Sequence, residues 1–196
     1  MIEASLLKCE EYVHGELLDV GCGSKPYKDT YFSAATSYVG VDYASEKSRP
    51  DIIASALSLP LDNESFDTVV STELLEHVPD PLRALREMHR VLKPGGHLIL
   101  STPMYWPRHE IPHDYFRYPY DGLLYLVKES GFELVRIFNR GNAYVFLGQV
   151  IHHALPVFIR FGFLIALVNR FFLWCDRHHA YDAVTLGWTL VARRND

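Results

Sequence analysis

Cysteine is scarce in this chain: Cys9, Cys22 and Cys175 are widely spaced, odd in number and form no CxxC pair. That excludes a disulfide framework and a thiolate zinc site, and it suits a reducing compartment. Runs of basic residues are missing too. With 19 Lys and Arg against 24 Asp and Glu, the formal net charge is −5, so nucleic acid is not the expected partner. No uncharged apolar stretch reaches the roughly 20 residues that cross a bilayer. The first eleven residues are broken by Glu3, Lys8, Glu10 and Glu11, unlike a secretory signal, and the expected location is the cytoplasm. Internal repeats and low-complexity tracts are absent. At 196 residues, 48% apolar and 22% charged, the chain suits one α/β domain with a real core and is too short for two of ordinary size.

What is present centres on Glu16-Leu17-Leu18-Asp19-Val20-Gly21-Cys22-Gly23-Ser24-Lys25. An apolar run ending in an acid and then two glycines reads as a buried strand entering a tight turn, where backbone can approach a ligand closely. Asp42 follows a second apolar run about twenty residues on, the spacing at which a nucleotide-binding βαβ unit places an acid on ribose hydroxyls. Lys25-Pro26-Tyr27 stands where a third glycine would complete GxGxxG. The lysine could reach a ligand carboxylate or point to solvent.

Residues 2–13 have helical spacing, and strands are expected at 17–20, 39–42, 51–54 and 66–71. A helix can begin only after Pro26. Asp80 and Pro81 start another over 82–92, with Leu82, Leu85, Met88, His89 and Leu92 on one face. Lys93-Pro94-Gly95-Gly96 stops it before a strand at 97–101, and a helix at 120–130 leads to strands at 132–138 and 185–192. Alternating strand and helix specifies a parallel sheet covered on both faces. Residues 103–120, rich in Pro, His, Tyr, Trp and Arg without periodicity, are the expected place for substrate contacts. The expected division is an N-terminal helix over 1–15, a ligand-binding core over 16–140, an apolar helical insert over 141–180 and a last strand within 181–196. From Arg140 to Ala180 the insert carries four Arg and one Asp, which fits packing over the domain or lying at a lipid interface.

Four blocks in order carry a family resemblance: Leu17-Leu18-Asp19-Val20-Gly21-Cys22-Gly23, Leu59-Pro60 through Ser65-Phe66-Asp67, Leu75-Glu76-His77-Val78, and Glu87 through Gly96. The chain resembles the class I S-adenosylmethionine-dependent methyltransferases over residues 16–138 and the last strand. The resemblance implies a three-layer Rossmann-like α/β fold, with a seven-stranded, mostly parallel sheet whose last strand is antiparallel and inserted beside the sixth. It implies S-adenosyl-L-methionine as cofactor and S-adenosyl-L-homocysteine as product. Gly21, Cys22 and Gly23 would meet the methionine moiety, and Asp19 would be oriented toward its amino group. Asp42 would take the ribose hydroxyls, with Tyr43, Ser55, Ala56 and Leu57 around adenine and Ser71 and Thr72 near the reactive end. Ser55 departs from the acid common there. Residues 109–118 resemble a block from a subset connected with cell-surface sugar or lipid biosynthesis.

A hydroxyl acceptor needs a base within reach. His113 is the first candidate, with Asp114 as alternative or orienting partner and His109 third. Against this stands a purely architectural reading, in which Asp114 and Arg117 pair to tie down the loop and His113 caps it. His77 reads as an anchor for the helix after the fourth strand, and Cys22 as a small packing residue. His152-His153 and His178-His179 have no Cys at ligand spacing and few carboxylates nearby, so no metal is expected. Phe158, Phe161, Phe163, Phe171, Phe172 and Trp174 read as core or lid packing, or as a groove for an apolar acceptor. The resulting expectation is an enzyme methylating a small-molecule, sugar or lipid-linked acceptor at oxygen, with peripheral membrane contact through 141–180 and a homodimer as further expectations. Methylation at nitrogen or carbon, and a non-catalytic cofactor-binding or membrane-surface module, are the alternatives.

Overall fold

The computed structural model describes residues 2–43, 47–154, 162–178 and 184–195. Its centre is a seven-stranded sheet built from β1 (Glu16–Val20), β2 (Ser37–Asp42), β3 (Ile52–Ile53), β4 (Phe66–Thr72), β5 (Leu92–Pro103), β6 (Phe132–Asn139) and β7 (Gly187–Arg194). The spatial order is β3-β2-β1-β4-β5-β7-β6. Strands β1 to β5 pair in parallel, and β7 runs antiparallel between β5 and β6. This is the fold expected from the sequence.

The middle strands read as continuous apolar runs because both faces of the sheet are covered. Side chains alternate across the pleat: Leu18, Val69, Leu98, Leu100 and Leu190 enter one core layer, and Leu17, Val70, Ile99 and Val191 the other. The first layer is closed by α3 (Pro81–Val91) and α4 (Tyr120–Glu129), whose Leu85, Met88, Leu123 and Val127 are buried. The second is closed by α1 (Ile2–Leu6) and the 3-10 turns of Leu7–Tyr12 through Leu6 and Cys9, and by Phe32 just after α2 (Lys28–Tyr31).

The helix that could begin only after Pro26 is the single turn of α2. Two other local expectations are corrected. Asp80 caps α3 as expected, its Oδ1 accepting from Arg83 N–H at 3.0 Å, but the buried face is Ala84, Leu85, Met88 and Val91. Leu82 and His89 are only half-buried, and Leu92 already belongs to β5, because the helix ends at Val91. Lys25 neither faces solvent nor points at a ligand: its Nζ lies 2.6 Å from Asp51 Oδ1.

The insert holds α5 (Ala143–Ala154) and α6 (Gly162–His178), which pack on each other. Gly148 permits the approach, since a Cβ there would lie 2.9 Å from Phe172 Cδ2. Phe171 and Trp174 are exposed rather than core. Phe158 and Phe161, and the side chain of Phe163, lie outside the described residues. No helix among the described residues is long and apolar enough to cross a membrane.

Candidate functional site

The carboxyl ends of β1, β2 and β4 open onto a cavity of about 510 Å³, within the size range of small-molecule sites. Its floor is the turn after β1. Gly21 and Gly23 have φ of +80° and +52°, values at which a side chain is strained. A Cβ on Gly21 would also meet Leu74 at 2.9 Å. Val41 C=O accepts from the N–H groups of Gly21 and Cys22 at 2.8 and 3.2 Å. Asp42 locks the turn from β2: its carboxylate accepts from Gly23 N–H and Tyr43 N–H, each at 2.7 Å. Each oxygen keeps a lone pair for a ligand.

Tyr43, Ser55, Ala56 and Leu57 form the rim beyond Asp42. Tyr43 O–H donates to Ser55 Oγ at 2.9 Å, and Ser55 Oγ also accepts from Leu57 N–H at 3.1 Å. The opposite end is lined by Glu73, Leu74, His77, Glu110, His113 and Tyr115. The structure therefore brings Gly21, Gly23, Asp42, Tyr43, Ser55, Ala56, Leu57 and His113 to one cavity.

Five other expected positions do not line it, and Asp114 loses the role expected of it. Asp19 lies beneath the turn, 3% exposed, with Tyr38 O–H donating to its Oδ2 at 2.5 Å and its Oδ1 without a partner. Burial pushes its carboxyl up to about 7. Cys22 packs under the backbone of Gly40, where an added Cβ would sit 2.8 Å from its Sγ; burial pushes its thiol up to about 12, so it is no nucleophile. Ser71 is fully buried and Thr72 is half-buried outside the lining, which uses Glu73 and Leu74 instead. Asp114 is spent on architecture: its carboxylate accepts from Arg117 at 2.6 and 2.9 Å and from His109 N–H at 3.0 Å. The Arg117 guanidinium holds it well below the usual carboxylate range, which rules it out as a base. His109 stands behind the wall, its Nε2 3.1 Å from His77 Nε2.

Glu73, Glu76, His77 and Tyr115 were not expected here. Glu73 takes φ +50° directly after β4, and its carboxylate is pinned by Arg140 at 2.9 Å and Ser101 O–H at 2.9 Å. Its place at the carboxyl end of a central strand was the available signal. Glu76 is 0% exposed with neither carboxylate oxygen bonded; burial, then the nearby Glu73, pushes it up to about 8. The 104–119 segment is held over this turn by Tyr115 N–H donating to Glu76 C=O at 2.8 Å and Tyr118 O–H donating to Leu75 C=O at 2.8 Å.

Asp19 makes a pH signature. The native chain keeps this proton between about pH 4 and 7 while the unfolded chain releases it, so the stability it confers is present at low pH and is lost as pH rises through 7. Asp19→Asn is expected to melt with the unchanged protein near pH 4 and progressively above it toward pH 8. Parallel melting curves across that range would show the carboxyl to be ionised throughout.

The chain matches a family described as "Methyltransferase domain" over residues 18–100. It is 32% identical over 192 residues to a demethylmenaquinone methyltransferase of Renibacterium salmoninarum, covering 91% of this chain and 68% of that protein. A ubiquinone biosynthesis O-methyltransferase of Paracidovorax citrulli is 36% identical over 101 residues, 44% of this chain. The matched part spans 42% of that relative, so the chain accounts for under half its length. In three dimensions the chain resembles an S-adenosylmethionine-dependent methyltransferase from Mesorhizobium loti, with TM-score 0.64 and 21% identity over 99% of this chain and 98% of that one; this likeness shows the fold. Strand order, glycine turn, Asp42 and sequence identity lead to one assignment: the chain belongs to the class I S-adenosylmethionine-dependent methyltransferases.

Proposed function

We propose that this chain transfers a methyl group from S-adenosylmethionine to a hydroxyl of a small-molecule acceptor. The observation that carries the reading is the single cavity running from the Gly21-Gly23 turn and Asp42 to His113 and Tyr115. The cofactor, when bound, supplies an electrophilic methyl on a sulfonium. The protein's task is then alignment and exclusion of water. Gly21 and Gly23 leave room against the turn for the methionine part, Asp42 retains lone pairs for ribose hydroxyls, and Tyr43, Ser55, Ala56 and Leu57 edge the base. Ser55 Oγ already accepts from two protein donors, so what it offers the base is its O–H, a donor to a ring nitrogen.

At the other end His113 reaches the cavity with its Nδ1 3.0 Å from Tyr115 Oη; with Nδ1–H donating to that oxygen, Nε2 holds the lone pair that takes a proton from the acceptor. The acceptor's reacting hydroxyl would enter this cavity within reach of His113. The ubiquinone relative is named an O-methyltransferase, which favours oxygen over nitrogen or carbon. A lipid-linked acceptor is the second reading, in which the Leu167, Phe171, Leu173 and Trp174 that α6 presents to solvent, outside the cavity lining, would meet the apolar part.

Labelled S-adenosylmethionine offered with a panel of small phenols and quinols tests the reading. Label is expected on a hydroxyl oxygen, and with that acceptor His113→Ala is expected to lower kcat by roughly 10²-fold or more while cofactor affinity is kept. Label found on carbon or nitrogen moves the reaction to another acceptor atom, and unchanged turnover removes His113 from the base role.

A further inference from the structure

Glu76 and His77 sit on the turn after β4, and His109 reaches them from the 104–119 segment. Their ligand atoms all lie within 4.8 Å of one another, the one such grouping of metal-capable side chains among the described residues. Hydrogen bonds fix what each ring presents. His77 Nδ1 is 2.6 Å from His113 C=O, and His109 Nδ1 is 3.2 Å from Pro107 C=O. A carbonyl only accepts, so each Nδ1 carries its hydrogen and, in a neutral ring, each Nε2 carries a lone pair. Those two lone pairs face each other at 3.1 Å. Glu76 Oε1 lies 3.8 Å from His77 Nε2, and neither oxygen of this buried carboxylate has a partner. Three electron-pair donors converge, an arrangement that is costly without a positive charge among them.

We propose that Glu76, His77 and His109 form a binding site for a divalent transition-metal ion, zinc first among them, in the wall of the cavity. Two imidazoles and a carboxylate are a set that zinc takes with a fourth position left open. Tetrahedral donors with bonds of about 2.0–2.1 Å sit roughly 3.3 Å apart; the separations of 3.1 and 3.8 Å are within about half an ångström of that, and the Glu76–His109 pair, inside 4.8 Å, closes by a side-chain shift of up to about 1.5 Å. The carbonyls on both Nδ1–H groups supply the outer hydrogen bonds that orient ligating histidines. A proton shared by the two rings would leave Glu76 without a bond, whereas a cation serves all three groups. The burial that favours a neutral Glu76 is offset by the same ion. His77 also lines the cavity beside His113, so an ion held here would place positive charge next to the acceptor end of the cavity. That last consequence rests on the methyl-transfer reading; the site itself does not.

The full chain, stripped with a chelator and dialysed against Zn²⁺, is to be assayed for metal content, with Co²⁺ as an optical probe. About one ion per chain is expected, with a raised thermal midpoint and the intense visible absorption of a four-coordinate Co²⁺ site. His109→Ala, in the half-buried loop, and Glu76→Gln, which keeps the side-chain shape, are each expected to lower occupancy at least tenfold with circular dichroism unchanged. If one variant loses its fold, the other decides. No stoichiometric Zn²⁺ or Co²⁺ on the unchanged protein, or binding that survives both substitutions, overturns the proposal. Metal is counted with neither donor nor acceptor present, so failure here leaves the methyl-transfer reading intact, and a metal-loaded but inactive protein leaves the site intact.

Discussion

Asp42→Ala is expected to weaken S-adenosylmethionine binding by roughly 10²-fold or more, because charge-assisted hydrogen bonds contribute about 1.5–3 kcal/mol each and two are lost from the ribose. The carboxylate also holds the glycine turn through Gly23 N–H and Tyr43 N–H at 2.7 Å, so part of the loss would come from a floor that is no longer preorganised. Asp42→Asn separates the two contributions. An amide keeps one acceptor and much of the shape, and its affinity should fall between those of the alanine variant and the unchanged protein. Calorimetric titration measures all three. An affinity within threefold of the unchanged value in Asp42→Ala would remove the ribose from this position.

Arg140→Ala is expected to cost about 2–4 kcal/mol of stability, which at this chain length lowers the thermal midpoint by roughly 5–15 °C. Arg140 is 9% exposed and spans β6 to the end of β4, pairing with Glu73 at 2.9 Å and donating to Thr102 C=O at 2.7 Å. Its removal leaves Glu73 unpaired near the buried carboxyl of Glu76, and two carboxylates at one wall repel. Glu73→Gln in the Arg140→Ala background should restore part of the loss. Thermal unfolding of the four proteins in a double-mutant cycle reads the coupling, and strict additivity would show that the pair contributes nothing beyond its separate residues.

The glycine turn and Asp42 were legible in the sequence because each demand there falls on one residue type. Positive φ needs glycine at 21 and 23, and the β2 end needs a carboxylate at 42. The central strands were legible because burial on both faces leaves no polar alternation to confuse them, as Leu17-Leu18 and Val69-Val70 illustrate. Other features depend on choices that residue type does not announce. Glu73 adopts φ +50° although it is not glycine, which carries the cavity wall past Ser71 and Thr72. The buried face of α3 turned toward Ala84 because Leu92 left the helix to begin β5. Lys25 found Asp51 across 26 positions, and His109 met His77 across 32. Such pairings arise only when strands and loops have been assembled. Asp114 shows the same limit: its charge marked it as a candidate base, and only the bidentate contact with Arg117 reveals that it clamps the loop.

Titration calorimetry of the unaltered chain with S-adenosylhomocysteine tests the central claim most directly, because it needs no acceptor. The account predicts one site per chain with a dissociation constant in roughly the 1 μM to 1 mM range typical of enzyme ligands, competed by S-adenosylmethionine and weakened by Asp42→Ala. No heat of binding with either ligand, from protein shown to be folded, would contradict it.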